Sequence, residues 1–184
     1  MADDSLIIKP ILQIGPEYKA LMRSSTQELL ANRLYTQAEV DAMHTTGEFR
    51  ASWMPWHHYV SVGIYGADVG GRVIGCIELL ERDDRTGILE VLYVEKPFRD
   101  KHVATRLIHE AAKEAQARHV EAIEVHTMVR EPKALAFWTK FFKPISPNDP
   151  GYVMILGGVG KRSEAIGWRL APDRFPGLGT PASG

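Results

Sequence analysis

The chain of 184 residues holds one cysteine, Cys76, so it can form no internal disulfide and fits a reducing compartment. Cys76 lies inside the apolar run VIGCIELL, which reads as packed core rather than as a reactive nucleophile. An excess of one charge is missing too. Lys and Arg number 22 against 23 Asp and Glu, a net charge of −1, and this gives no reason to expect nucleic acid or an anionic membrane as partner. The opening MADDSLIIKP starts acidic, and its apolar stretch is too short for a signal peptide or a membrane span. A cytoplasmic protein is therefore expected. No fixed-period repeat appears, and no G-x-G-x-x-G follows a strand, which sets a Rossmann-type nucleotide binder aside. His57 and His58 have no further Cys, His or carboxylate at metal spacing, so they read as exposed loop residues and no metal is expected.

What is present is a core. Hydrophobic residues make up 45% of the chain, enough for one folded domain. Leu6 to Ile14 reads as a strand ended by Gly15-Pro16, and Tyr18, Leu21, Met22 and Leu29 recur at helical spacing from Glu17 to about Leu34. Thr36 with Glu39 forms a capping-box pattern for a second, short helix. Residues 45–58 are irregular and aromatic, with Phe49, Trp53 and Trp56. Tyr59–Tyr65 and Arg72–Leu80 are strand-like and joined by GADVGG, which fits an antiparallel hairpin. The strand ILEVLYV (88–94) follows. Ala104, Leu107, Ile108, Ala111, Ala112 and Ala115 then trace a helical stripe, and Ala122–Val129 is again a strand. Strand, helix and strand over this length form a crossover, so 88–94 and 122–129 are expected to be parallel neighbours. Pro132 suits the first turn of another helix, with Ala134, Leu135, Trp138, Phe141 and Phe142 on its buried side. SPNDPG (146–151) is a turn, YVMIL (152–156) the last expected strand, and Gly- and Pro-rich 158–184 an irregular extension of a domain spanning 1–157.

The segment that carries chemistry is 88–116. A buried strand ends at Val94, a short basic turn follows, and a long helix starts near Val103. Helix N-termini present unpaired N–H groups and partial positive charge, and such a place binds phosphate. Charge and position alone fit an ordinary solvated loop better. The motif shifts that balance. Leu92-Tyr93-Val94 followed by Pro97 and FRDKHVA (98–104) resembles the acetyl-CoA-binding motif of the GNAT superfamily of N-acetyltransferases, with Phe98, Arg99, Lys101 and Ala104 at matching positions. Two positions that are usually glycine are Asp100 and His102; at His102 the side chain must point away or donate to phosphate, or φ must be strained. Downstream, EPKALAFWTKFFK (131–143) is similar to the family's N-x-x-A-x-x-F-Y-E-K-x-G-F, with Glu131 for Asn, Trp138 for Tyr and Phe142 for Gly. The resemblance covers roughly residues 5–157.

It implies an α/β (mixed α+β) fold: a six- or seven-stranded mixed sheet flanked by about four helices and parallel at a central, splayed pair. It further implies that the backbone of Leu92, Tyr93 and Val94 pairs with pantetheine. The N–H groups of Lys101, His102, Val103, Ala104 and Thr105, with Arg99 beside them, would hold the pyrophosphate, and Phe137 and Trp138 would line the acyl end. The implied reaction is direct attack of a primary amine on acetyl-CoA, with a homodimer allowed. A base helps that attack. Glu90 is the first candidate, a charge in an apolar strand placed by alternation on the side of Ile88 and Leu92. A structural ion pair is an equal reading of it. His126, which shares a strand face with Glu124, is second. Family members often use tyrosine as acid where this chain has Trp138; indole has no proton to give near neutral pH, so Tyr93, Tyr152 or water takes that role. The acceptor is expected between the first two helices, the 45–58 loop and the end of the sheet. The competing reading is a catalytically degenerate acyl-CoA-binding regulatory module.

Overall fold

The computed structural model describes residues 6–44, 59–142, 152–158, 161–171 and 174. The expected aromatic loop with Phe49, Trp53, Trp56, His57 and His58 and the turn at 146–151 lie outside them. In chain order the elements are β1 (Leu6–Pro10), α1 (Pro16–Ala31), α2 (Gln37–His44), β2 (Tyr59–Val69), β3 (Arg72–Arg82), β4 (Thr86–Val94), a 3₁₀ turn (Lys96–Phe98), α3 (Val103–Ala117), β5 (Ala122–Met128), α4 (Pro132–Phe142), β6 (Tyr152–Gly158) and β7 (Lys161–Leu170). The seven strands follow the order β1-β2-β3-β4-β5-β7-β6 in one mixed sheet, with β4 and β5 parallel across the α3 crossover as expected.

The described residues form two compact bodies. The first comprises 6–25, 59–124, 170–171 and 174, and the second comprises 26–44, 125–142, 152–158 and 161–169. In the first, β1, β2, β3 and β4 are antiparallel neighbours. The β2–β3 turn is two residues, Gly70 and Gly71, with φ of +61° and +85°. Positive φ at both centres is the geometry that matches strand twist, and glycine adopts it without steric cost. Gly66–Val69, read as part of the connection, continues β2 instead. Helix α3 buries Val103, Leu107, Ile108, Ala111, Ala112 and Ala115, the expected stripe with Val103 added at its start. Gly75 of β3 lets the elements close up, since a Cβ there would lie 2.9 Å from the Tyr93 carbonyl and 3.4 Å from Leu107 Cδ1. On the other side of the sheet, Leu21, Val73 and Cys76 form a buried cluster against which Tyr18, Met22 and Tyr93 pack. Arg82 donates to both carboxylate oxygens of buried Glu124, at 3.0 and 3.2 Å, and to Asp84. This ion pair joins β3 to β5, and removing either partner would strand a buried charge.

In the second body the capping box forms as read. Thr36 N–H and its hydroxyl donate to Glu39 at 2.8 and 2.9 Å, and Glu39 N–H donates back to the Thr36 hydroxyl at 3.3 Å. Helix α4 buries Trp138 and Phe142. The expectation of an irregular extension from 158 is corrected by β7, which pairs antiparallel with β6 from Tyr152↔Gly167 to Gly158↔Lys161. It stands next to β5 in the sheet order, so YVMIL is not the last strand. Ala165 and Trp168 of β7 are buried; three positions apart, they fall on opposite faces, so the strand buries a side chain on each side. Polar Lys161, Arg162, Ser163 and Glu164 at its start hide that pattern in the sequence.

Candidate active site

Strand β4 is not regular. Its register with β3 runs Ile88↔Leu80, Leu89↔Leu79 and Glu90↔Glu78, and resumes at Tyr93↔Cys76 and Val94↔Gly75. Val91 and Leu92 therefore oppose the single residue Ile77, which is a β-bulge. Val91 has φ of 54° and is exposed. A β-branched side chain in the left-handed region is a true outlier, and such strain, on the order of 1–3 kcal/mol, collects at functional sites. The Cys76 thiol donates to the Val91 carbonyl at 3.7 Å. Burial, with Glu78 beside it, pushes that thiol up to about 12, which agrees with the reading of an unreactive core cysteine.

The bulge corrects the expected alternation. Residues opposed in an antiparallel pair share a face, so Glu90 falls with Tyr93, Cys76 and Glu78 rather than with Leu92. That face carries the Leu21 cluster from α1.

Beyond Val94 the chain turns sharply. Glu95 N–H donates to the Ile74 carbonyl at 2.9 Å, the 3₁₀ turn follows, and Asp100 and His102 take φ of 60° and 59°. His102 is the N-cap of α3, with its side chain exposed and making no capping bond, so the turn is made at the cost of a left-handed residue. The first intrahelical bond runs from Arg106 N–H to the His102 carbonyl. Helix geometry leaves the N–H groups of Val103, Ala104 and Thr105 without an intrahelical acceptor. Arg99 Nε donates to the Val94 carbonyl at 2.8 Å while its guanidinium lies 5.6 Å from the Tyr93 ring centroid. Lys101 is exposed, 5.6 Å from the Phe98 ring. Leu92, Tyr93, Val94, Arg99, Lys101, His102, Val103, Ala104 and Thr105 thus stand together in the first body, on one continuous stretch of chain.

Because His102 occupies a conformation that costs a non-glycine residue about 1 kcal/mol or more, His102→Gly is expected to raise the melting temperature by a few degrees and leave acetyl-CoA affinity intact. Thermal unfolding with a binding titration checks this; a lower melting temperature would mean the imidazole itself holds the turn.

The second body contains His126, half-buried on β5, and Phe137 and Trp138 of α4, whose rings meet edge to face at 5.1 Å. It also holds a cluster that sequence reasoning missed. The Tyr35 hydroxyl donates to Glu131, the Arg130 guanidinium stacks 3.9 Å from the Tyr35 ring centroid, and Arg130 Nη1 donates to Glu39 at 2.9 Å. Burial, together with the Glu131 charge, raises Tyr35, and burial raises Glu131. The bond from Thr36 N–H, then Arg130, holds Glu39 down to about 2. The signal available was Glu131 in the place of the motif's asparagine.

The Acetyltransferase (GNAT) family model matches residues 26–142, and the chain belongs to that family. Among solved structures it is similar to the PaiA N-acetyltransferase of Thermoplasma acidophilum in complex with coenzyme A, at 15% identity over 91% of this chain and 99% of that one, TM-score 0.61. It is also similar to a GNAT-family acetyltransferase of Elizabethkingia anophelis with acetyl-CoA bound, at 16% identity over 92% and 99%, TM-score 0.55. At such identities the likeness is one of fold. No curated protein matches the chain. The family makes this an acyl-CoA-dependent acetyltransferase with acetyl-CoA as co-substrate. Among the described residues no helix is long and apolar enough to cross a membrane.

Proposed function

We propose that this protein transfers the acetyl group of acetyl-CoA to a primary amine, by direct attack, in the cytoplasm. The observation that carries the reading is the unbroken path from the Val91 bulge through the left-handed turn at His102 to the open first turn of α3. The bulge interrupts the ladder with β3 at Val91 and Leu92 before pairing resumes at Tyr93 and Val94; in this reading the edge of Leu92 to Val94 turned away from β3 pairs with pantetheine amides, and an N–H near Tyr93 polarises the thioester carbonyl. The first-turn N–H groups and Lys101 meet the pyrophosphate. Arg99, tied to the Val94 carbonyl, sets the shape of the loop as much as its charge.

Glu90, next to the bulge, takes a proton from the bound ammonium, the neutral amine then attacks the thioester carbonyl, and the departing thiolate takes up the second amine proton through water or Tyr93. The test is thiol release from acetyl-CoA with a panel of primary amines: small amines, polyamines, aminoglycosides and peptides. Turnover with one class is expected. Tight acetyl-CoA binding with no turnover on any amine would favour a regulatory acyl-CoA-binding module instead.

Arg99→Ala with Lys101→Ala is expected to weaken acetyl-CoA binding about tenfold or more, with the largest loss at low salt, where charge contacts are least screened. Calorimetric titration at two ionic strengths measures it, and unchanged affinity would remove the phosphate cradle.

A further inference from the structure

Two helix N-termini meet in one cluster of the second body. The Glu39 carboxylate caps α2 through Oε2, which accepts from the Thr36 N–H at 2.8 Å and from its hydroxyl at 2.9 Å. Its Oε1 accepts from Arg130 Nη1 at 2.9 Å. Glu131 directly precedes α4, and its carbonyl takes the first bond of that helix, from the Leu135 N–H at 2.9 Å. Its side-chain Oε1 accepts from the Tyr35 hydroxyl. Tyr35, on the short connection between α1 and α2, is 6% exposed, and the Arg130 guanidinium stands 3.9 Å from its ring centroid. One tyrosine and one arginine thus tie the α1–α2 connection and the cap of α2 to the turn between β5 and α4.

Glu131 stands where the family motif has asparagine, so this position can carry a charge that asparagine cannot. Burial disfavours that charge and raises the carboxyl. The Tyr35 hydroxyl and the Arg130 guanidinium oppose burial, because both favour the ionised form. Among the described residues the charge acting on Glu131 is that of Arg130, and those acting on Tyr35 are Glu131 and Arg130. Arg33 on the connection, Asp41 of α2, Lys133 of α4 and Glu164 of β7 have exposed side chains.

We propose that Tyr35 and Glu131 are positioning residues that form a proton-linked clasp: the tyrosine holds the α1–α2 connection on the β5–α4 turn, and the clasp depends on its hydroxyl when the Glu131 carboxylate is ionised. The clasp bears on the reaction through the acceptor, which is expected beside α1 and α2; this part rests on the amine reading above. Removing the hydroxyl moves the Glu131 midpoint further up. The resulting loss of stability is present above that midpoint and fades as pH falls through it. The bond from Arg130 to Glu39 persists over the same range, since Glu39 is held down to about 2.

The experiment measures thermal unfolding of wild type, Tyr35→Phe, Glu131→Gln and the double variant at pH 8 and at pH 4.5, which lies below the Glu131 midpoint. Tyr35→Phe is expected to lower the melting temperature by about 5 °C at pH 8 and by less than about half of that at pH 4.5. In the Glu131→Gln background the same change should cost no more than the smaller loss at either pH. An equal loss at both pH values, or an undiminished loss in the glutamine background, overturns the clasp. Should a variant not fold, NMR of the Glu131 carboxyl carbon in wild type decides: a midpoint above that of a free glutamate side chain is expected, and one at or below it overturns the proton linkage. With the amine that the panel selects, Tyr35→Phe is expected to raise the KM for the amine about threefold or more at pH 8 and to leave acetyl-CoA affinity unchanged. An unmoved KM overturns the positioning role while the amine reaction stands. A panel without turnover sinks the amine reaction, and the melting temperatures still decide the clasp.

Discussion

Glu90→Gln is expected to lower kcat by about 10²–10⁴-fold while acetyl-CoA affinity stays near wild type, the range that a positioned general base contributes. An alkylamine with a pKa near 10.4 is neutral in only about one molecule in 2,500 at pH 7, a handicap of about 4.6 kcal/mol for a nucleophile that must be unprotonated. In the proposed reading Glu90 offsets part of that by taking the proton from the bound ammonium before the neutral amine attacks. Glutamine preserves the shape of the side chain and can still bond to a neighbour, so β4 and its register with β3 should survive the change. The loop from Glu95 to Thr105, which meets the pyrophosphate in this reading, lies beyond the bulge and contains no part of Glu90, which is why affinity and turnover should separate. The pH profile of kcat should lose its acid limb, since that limb reports the base within the enzyme–substrate complex. Steady-state kinetics with a binding titration measures both. A variant that stays active with the wild-type profile would transfer the role to His126, half-buried on β5.

Much of this site is written locally. The α3 stripe repeats every three or four residues, the β4 strand ends in a recognisable triplet, and the basic turn keeps its order, so periodicity and motif placed the cofactor loop. Local pattern says little about the features that depend on distant partners. Val91 is β-branched and sits in an apolar run, so it reads as ordinary strand; only its register against Ile77 makes it the odd residue of a bulge. The consequence reached the candidate base, because one inserted residue moves every later side chain to the opposite face and brings Tyr93, not Leu92, to the side of Glu90. Tyr35 and Glu131 are 96 positions apart, and no local rule pairs them. The Thr36–Glu39 box was legible, yet the second bond of Glu39, to Arg130, was not. Strand β7 was hidden by its charged start and by the glycine-rich surroundings of 157–160.

Truncating Trp138 is expected to be the most damaging single change to stability. Its indole is 6% exposed and stands in a chain of rings: Phe137 edge-on at 5.1 Å, Phe141 edge-on at 5.8 Å, and Phe142 stacked at 5.8 Å, with Phe142 stacked in turn on Trp168 of β7 at 5.5 Å. Trp138→Ala removes the ring that several others touch and leaves a cavity the neighbours can only partly fill, so a loss of about 3–5 kcal/mol is expected. Against a total stability of about 5–15 kcal/mol this is a large share, and for a chain of this size it corresponds to a fall in melting temperature of about 10 °C or more. Trp138→Tyr keeps an aromatic ring in the same slot. It also restores the residue type that often serves as the acid in the family this chain belongs to. If burial within the ring cluster is the main role of this position, the restored hydroxyl gains little, because a thiolate is a good leaving group that water can protonate. The rate should then stay within about tenfold of wild type, equal to roughly 1.4 kcal/mol in the barrier. Thermal unfolding of the alanine variant and turnover of the tyrosine variant are the two measurements. Wild-type stability in the first would show that the indole is not core, and a large rate gain in the second would show that the enzyme lacks an acid it can use.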